Sequence, residues 1–364
     1  MNLIYNEELS FPGLGITIDV SPVAFQIGDF KVYWYGVIIA AAMLVCFGLA
    51  VKLAKKNNFS PDLVYDLMFI TLPCAIVGAR VYYVIFRWDY YAEDLSRIFD
   101  TRSGGLAVYG GVILVLVGYF VMCRIRKIPY STVLDYLAPL LPLGQAIGRW
   151  GNFFNQEAFG TTTNLPWGMT SNSISSYLST YCPTLDSSMP VHPTFLYESL
   201  GNIILCIILF KLRKKSKYAY ETAAVYFVGY GFIRFFVEGL RTDSLYIGST
   251  AIRASQLLSL ILVIGGLLYI AFAHYKKILR QPLPERFLVE KGEKESKVPE
   301  KGETEVPETE PEVPETEGEK APEAPEAPEN EPAKTPENND GEGDDIVELA
   351  GDVCVEDLKD DGNT

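Results

Sequence analysis

Apolar and polar positions fall along this chain in long blocks rather than in the short periods of amphipathic helices or half-buried strands. Seven apolar runs lie at about 33–53, 63–86, 105–123, 131–147, 194–212, 221–240 and 254–274. Each is long enough to cross roughly 30 Å of hydrocarbon as a helix. The pattern predicts an all-α polytopic membrane protein with about seven transmembrane helices.

One polar block does not separate the runs but begins inside one. Gly144–Gly160, GQAIGRWGNFFNQEAFG, starts within the fourth run and holds an arginine, a glutamate, two asparagines, two glutamines and four glycines. An ionisable side chain at membrane depth costs at least about 2.5–3.5 kcal/mol on insertion scales, which makes this block the first candidate for function.

The basic residues give the orientation. Lys52, Lys55 and Lys56, then Arg124, Arg126 and Lys127, then Lys211, Arg213, Lys214, Lys215 and Lys217, then Lys276, Lys277 and Arg280 all follow alternate runs, and so share one side. That side is read as the cytoplasm, with the N-terminus outside and the C-terminus inside. The outer face then receives the 87–104, 160–192 and 241–253 loops. It also receives YWYG (33–36), SGGLAVYGG (103–111), RFFVEGLR (234–241) and the 144–160 block. Four polar or glycine-rich stretches at one level predict a cavity near the outer leaflet. The 160–192 loop, rich in Thr, Ser, Asn, Pro and Tyr, is long enough for a small extracytoplasmic cap.

Charge divides the chain in two. Residues 1–280 carry 23 Lys and Arg against 17 Asp and Glu, and residues 281–364 carry 8 against 28, so the net −14 comes from the end of the chain. A loose Pro–Glu repeat there has almost no large apolar side chains and cannot bury enough surface to fold. A disordered acidic tail is expected over 281–364, behind a membrane domain over 1–280. A short amphipathic stretch near its end, IVELAGDVCVEDL (346–358), has the pattern of a transient helix. The N-terminus lacks a basic region, and no cleavable signal peptide is expected.

The six cysteines show no CxxC or metal-ligand spacing, and there are two histidines, so no metal site is expected. No GxSxG elbow, HExxH or Walker loop is present. Arg149 offers a planar, permanent charge suited to phosphate oxygens, or to an ion pair with Glu157 or Glu238. Arg234, Glu238 and Arg241 share a helix face, where one arginine would pair with Glu238 and leave the other for an anion. Asn152, Asn155 and Glu157 supply amides and a carboxylate for a hydroxylated head group. Gly160 permits close backbone approach. Tyr109, among glycines, reads as a hydrogen-bonding phenol or an interfacial tyrosine, and Tyr35 as an interfacial one. His192 opens HPTFLYES as a titratable group or a helix cap, and a buried Glu198 in that stretch would need a partner. Arginines with amides at a membrane cavity fit transfer of a group off a phospholipid. An anion transporter and a membrane-embedded peptidase remain the alternatives.

GRWGNFFNQEAFG (148–160) resembles the defining motif of the bacterial prolipoprotein diacylglyceryl transferases, G-R-x-G-N-F-x-N-x-E-x-x-G. YWYG (33–36), GARVYYVIF (78–86), GGLAVYGG (104–111), DYLAPLLPLGQAIGR (135–149), HPTFLYES (192–199) and YGFIRFFVEGLR (230–241) match further family stretches in order. The resemblance spans about residues 30–275. It implies an enzyme of the bacterial cell membrane that moves the diacylglyceryl group of phosphatidylglycerol to the lipobox cysteine of a preprolipoprotein signal peptide. A thioether forms and glycerol phosphate leaves, with no cofactor and no nucleic-acid partner. Arg149 with Arg241 or Arg234 would hold the phosphate, while Asn152, Glu157 and Gly160 would shape the head-group site. Tyr35, Tyr230 and Glu238 match further functional positions. Many members have histidine, a proposed base, where this chain has Tyr109. The phenol's reference pKa is ~10, against ~6.5 for histidine, so a mechanism without a dedicated protein base is expected.

Overall fold

The computed structural model of the protein describes residues 7–28, 30–100, 104–247 and 250–288. The acidic stretch beyond 288, including 346–358, lies outside the described residues, as do Thr101–Ser103.

Two antiparallel hairpins open the described chain: β1 (Glu7–Phe11) with β2 (Ile16–Val20), and β3 (Val23–Ile27) with β4 (Phe30–Tyr33). Ten α-helices follow. They are α1 (Trp34–Lys56), α2 (Pro61–Phe86), α3 (Trp88–Ala92), α4 (Val108–Ile125), α5 (Tyr130–Leu137), α6 (Leu140–Asn155), α7 (Asn172–Tyr181), α8 (Thr194–Arg213), α9 (Glu221–Leu240) and α10 (Ala254–Lys276). Six of these, α1, α2, α4, α8, α9 and α10, are long and apolar enough to cross a membrane. The protein is a mostly helical, multi-pass membrane protein, and the hairpins are an addition to the all-α expectation.

The predicted fourth segment, 131–147, is divided. Pro139 has no N–H to continue α5, so that helix stops at Leu137 and α6 restarts at Leu140. The start of α6 is also tied to the neighbouring helices. Here the Cys206 thiol donates to the Pro139 carbonyl (3.3 Å) and the Cys46 thiol to that of Leu140 (3.5 Å). The restart moves the helix onward, so Gly144 to Asn155 is helical and the backbone leaves the helix only at Gln156.

Small residues set how α2 meets α4. A Cβ on Gly78 would lie 2.4 Å from the Gly110 carbonyl oxygen, and one on Gly110 would lie 2.2 Å from that of Gly78. This is the close backbone approach by which apolar helices associate in lipid. α6 instead packs between α1 and α8, and α8 packs on α9.

The 160–192 loop folds into a compact unit with the first hairpin. Ser10 and Thr170 exchange backbone hydrogen bonds (both 2.8 Å), which joins β1 to the loop. Leu9, Val20, Phe159, Met169, Ile174, Leu178 and Val191 form its apolar core. At the opposite end of the helices, residues 277–288 return along the body. Arg280 reaches the buried carboxylate of Asp135 (3.1 Å), and Leu283 and Phe287 pack among Leu63, Leu67 and Met122.

Candidate active site

Helical spacing assembles the first half of the site. Arg149 and Asn152 lie three apart on the last turns of α6, so they share a face, and Arg149 Nη1 donates to Asn152 Oδ1 (3.2 Å). The helix ends at Asn155, and Gln156 and Ala158 take left-handed backbone (φ 53° and 57°). That turn folds Glu157 back, and its carboxylate accepts from Asn152 Nδ2 (2.9 Å) and Asn155 Nδ2 (3.2 Å). The amides and carboxylate expected to act together are in contact.

Helix packing supplies the second half. Glu198 of α8 is 1 % exposed and sits between two arginines: Arg149 Nη2 is 2.8 Å away and Arg234 Nη1 of α9 is 3.1 Å away. Arg234 Nη2 also pairs with Glu238, one turn on, at 2.6 Å. The result is one unbroken line of six side chains: Glu157, Asn152, Arg149, Glu198, Arg234 and Glu238. Four of the six form a quartet of two half-buried guanidiniums and two buried carboxylates, so its formal charge is zero. Tyr230 lies beside Arg149, Arg234 and Glu198 with its ring stacked on Tyr226 (centroids 5.8 Å apart).

Two sequence expectations change here. Arg149 pairs with Glu198, not with Glu157 or Glu238. Neither Arg234 nor Arg241 is left free, because Arg241 grips Asp243 with both ends of its fork (2.8 and 2.5 Å). Burial would lift the Asp243 carboxyl, but contact with Arg241 outweighs it and holds the group below the usual carboxylate range. Burial would likewise weaken the charged form of Arg241, but Asp243, with Glu238 and Glu198 beyond it, keeps its pKa above the ordinary value.

Gly160 and Tyr35 frame this line. The Gly160 N–H donates to the His192 carbonyl (2.9 Å), and the next residue, Thr161, donates to Leu240 (2.8 Å). A Cβ on Gly160 would meet His192 Cβ at 2.8 Å and the Leu240 oxygen at 3.0 Å, so three segments close on a position where a side chain has no room. Tyr35 lays its ring against Gly151, where a Cβ would come within 2.6 Å of Cδ2. His192 stands 3.1 Å from the Tyr197 hydroxyl, which also accepts from Trp167 (2.8 Å). Burial lowers the His192 pKa, so at neutral pH the ring is uncharged and suited to hydrogen bonding rather than to holding an anion.

Tyr109 is placed differently from the rest. It heads α4, is 57 % exposed, and belongs to a helix that packs on α2 rather than on α6, α8 or α9.

The sequence reading missed three arginine or carboxylate placements. For Glu198 the sequence predicts a partner but not the centre of the site; an intramembrane carboxylate is itself the signal. Arg80, alone in an apolar run, is buried and donates to the carbonyls of Arg97, Ile98, Asp100, Gly104 and Gly105, holding the segment that leads to Tyr109. Buried Arg253 donates to the Glu238 carbonyl at the end of α9, where cations are favoured.

Comparison with known proteins places the chain in one family. The family model for prolipoprotein diacylglyceryl transferase matches residues 22–272. The phosphatidylglycerol–prolipoprotein diacylglyceryl transferase of Finegoldia magna is 44 % identical over 259 residues, covering 71 % of this chain and 97 % of that protein. The protein of the same name from Ligilactobacillus salivarius is 43 % identical over 258 residues (70 % and 94 %), and that from Clostridioides difficile 40 % over 246 (68 % and 92 %).

Proposed function

The chain belongs to the prolipoprotein diacylglyceryl transferase family, and we propose that its line of six side chains is where phosphatidylglycerol gives up its diacylglyceryl group to a prolipoprotein cysteine. In this reaction the cysteine sulfur attacks the glycerol carbon that carries the phosphate. A C–S bond forms, the C–O bond to phosphate breaks, and glycerol phosphate leaves. Negative charge develops on the departing phosphate, and preorganised guanidiniums aimed at that charge are the largest single source of catalysis available here.

Arg149 and Arg234 are assigned as the phosphate ligands, because both belong to the charged quartet and both keep some exposure, 22 % and 15 % of the side chain. The quartet is neutral without substrate, so phosphate competes with Glu198 and Glu238 for the arginines. Glu157 with Asn152 and Asn155 is assigned to the glycerol hydroxyls of the head group. Arg241, Tyr230, Tyr35, His192, Glu238 and Gly160 shape the surrounding wall, and Tyr109 contributes no proton transfer. A thiol of pKa ~8.5 is already a few per cent thiolate near neutrality, and positioning next to cationic groups raises that share.

The single observation that carries this reading is the unbroken polar line from Glu157 to Glu238 at the cap ends of α6, α8 and α9. Purified protein in phosphatidylglycerol vesicles is expected to add a diacylglyceryl mass to the cysteine of a lipobox peptide. Peptide cleavage without that addition, or no change in the peptide, overturns it.

The membrane body over 1–280, extended by residues 281–288 that pack against it rather than joining the expected tail, the acidic tail over the rest of 281–364 and the orientation belong to the same proposal. Basic side chains at the ends of α1, α4, α8 and α10 lie at the pole opposite the site, which supports a cytoplasmic C-terminus and an outward-facing site. Protease added to intact cells should leave the tail uncut and should remove it in inverted vesicles. The reverse pattern rules the orientation out.

A further inference from the structure

A second polar tier lies one helical turn from the arginine tier, on the side away from the cap. α6 and α9 run toward the cap and α8 runs away from it. Gln145, four before Arg149, Asn202, four after Glu198, and Tyr226, four before Tyr230, are therefore all displaced in one direction, by about 5–6 Å. The chain places Asn202 against α6. Three residues before it, Ser199 donates to the Ala146 carbonyl (2.9 Å), and four residues after it, Cys206 donates to Pro139 (3.3 Å). Gln145 crosses to α9, where its Nε2 donates to the Tyr226 hydroxyl (3.0 Å).

This tier is not internally satisfied. Asn202 is fully buried, and both its amide nitrogen and its amide oxygen lack hydrogen-bond partners, as does Gln145 Oε1. Leaving a buried amide unpaired is costly, and an apolar side chain of similar shape would fill the same space without that cost. Half-buried Asn152 is bonded at both ends, and buried Gln156 lacks a partner at Oε1 alone, whereas Asn202 lacks one at both amide atoms. The Asn202 Nδ2 donor, buried with no acceptor in the protein, therefore stands out as a group held for a ligand rather than for the fold.

The ligand follows from position, given the assignment of Arg149 and Arg234 to the lipid phosphate. In a glycerophospholipid the two acyl ester carbonyls lie on the hydrocarbon side of the phosphate, a few bonds away. They are acceptors with no charge, suited to an amide N–H in a low-dielectric setting. We propose that Asn202 donates to an ester carbonyl of the diacylglyceryl group, with Gln145 beside it, so that this tier recognises the part of the lipid that is transferred. Gln145 is half-buried and anchored by one hydrogen bond, so it is the member that moves to admit the carbonyl. Asn202 and Gln145 act on specificity by holding the diacylglyceryl group and take no part in bond breaking.

The test is a cycle of two enzymes and two lipids, an ester-linked phosphatidylglycerol and its di-ether analogue, which lacks both carbonyls. Wild type should use the ether lipid roughly tenfold less efficiently in kcat/KM, the size of one buried hydrogen bond lost with its partner left unpaired. Asn202→Leu should fall about tenfold on the ester lipid and lose the preference, giving a ratio near one. Gln145→Leu should narrow the ratio, and carries the same comparison if Asn202→Leu does not fold. A variant that loses activity equally on both lipids while keeping the wild-type ratio shows a structural role and overturns the assignment. Wild type that transfers from neither lipid instead overturns the transferase reading, and the tier's role with it.

Discussion

Glu198→Ala should be the most destabilising single change in the site. The carboxylate is 1 % exposed and bridges guanidiniums at 2.8 and 3.1 Å. Removing one partner of a buried ion pair leaves the other charge uncompensated and costs about 3–5 kcal/mol. Here two arginines lose the same partner: Arg149 is left with Asn152 and Tyr230, and Arg234 with Glu238. The loss should be read as a fall in the thermal unfolding midpoint of detergent-solubilised protein, together with loss of transfer. Glu198→Gln separates charge from shape. It should unfold between wild type and alanine, and it gives the quartet a net positive charge, so glycerol phosphate, the product, should inhibit it more strongly than wild type. Wild-type stability in Glu198→Ala would mean that this carboxylate is not the centre of a buried charge network.

That neutrality of the quartet also explains how the site tolerates its depth. Two bare guanidiniums inside a helical bundle would be unsustainable without anions, and Glu198 and Glu238 serve in that place until a phosphate arrives. On the proposed assignment, binding is an exchange of one anionic partner for another rather than the filling of a permanently charged hole. Arg241 follows the same logic at the edge of the site, where Asp243 holds it.

What the sequence made legible tracks how local each feature is. Arg149, Asn152, Asn155 and Glu157 sit within one helix end, so their spacing alone predicts their contact. Glu198 meets Arg149 across α6 and α8, and no spacing rule links positions so far apart. Arg241 shares a helix face with Glu238 on paper, but α9 ends at Leu240 and Arg241 leaves the helix, turning to Asp243 instead. Hydropathy found the long helices because lipid demands continuous apolar runs. It was blind to the break at Ala138–Pro139, since LAPLLPLG is apolar on both sides of the proline and only backbone hydrogen bonding distinguishes the halves. The hairpins β1–β2 and β3–β4 were hidden for another reason. Of their five-residue strands, β2 buries only Val20 and β1 only Leu9, so there is little two-residue alternation to read.

Arg149→Ala should lower kcat/KM by about 10²–10³ or more, the range seen when a single preorganised donor to a developing oxyanion is lost. Arg149 bridges Asn152 and Glu198 with separate nitrogens of one planar group, 3.2 and 2.8 Å away. Arg149→Lys restores charge without that fork, so it should recover only part of the loss. Tyr109→Phe should keep most activity, because its hydroxyl lies on α4, which packs on α2, away from the quartet's helices. The pH profile gives an independent readout. If the attacking group is the peptide thiolate, formed without a protein base, the rate should rise with pH toward the thiol's own pKa of ~8.5. The rise comes from the free substrate, so the Tyr109→Phe profile should overlay that of wild type. A dead Tyr109→Phe, or a profile whose inflection moves when the phenol is removed, would falsify the base-free mechanism and return proton transfer to α4.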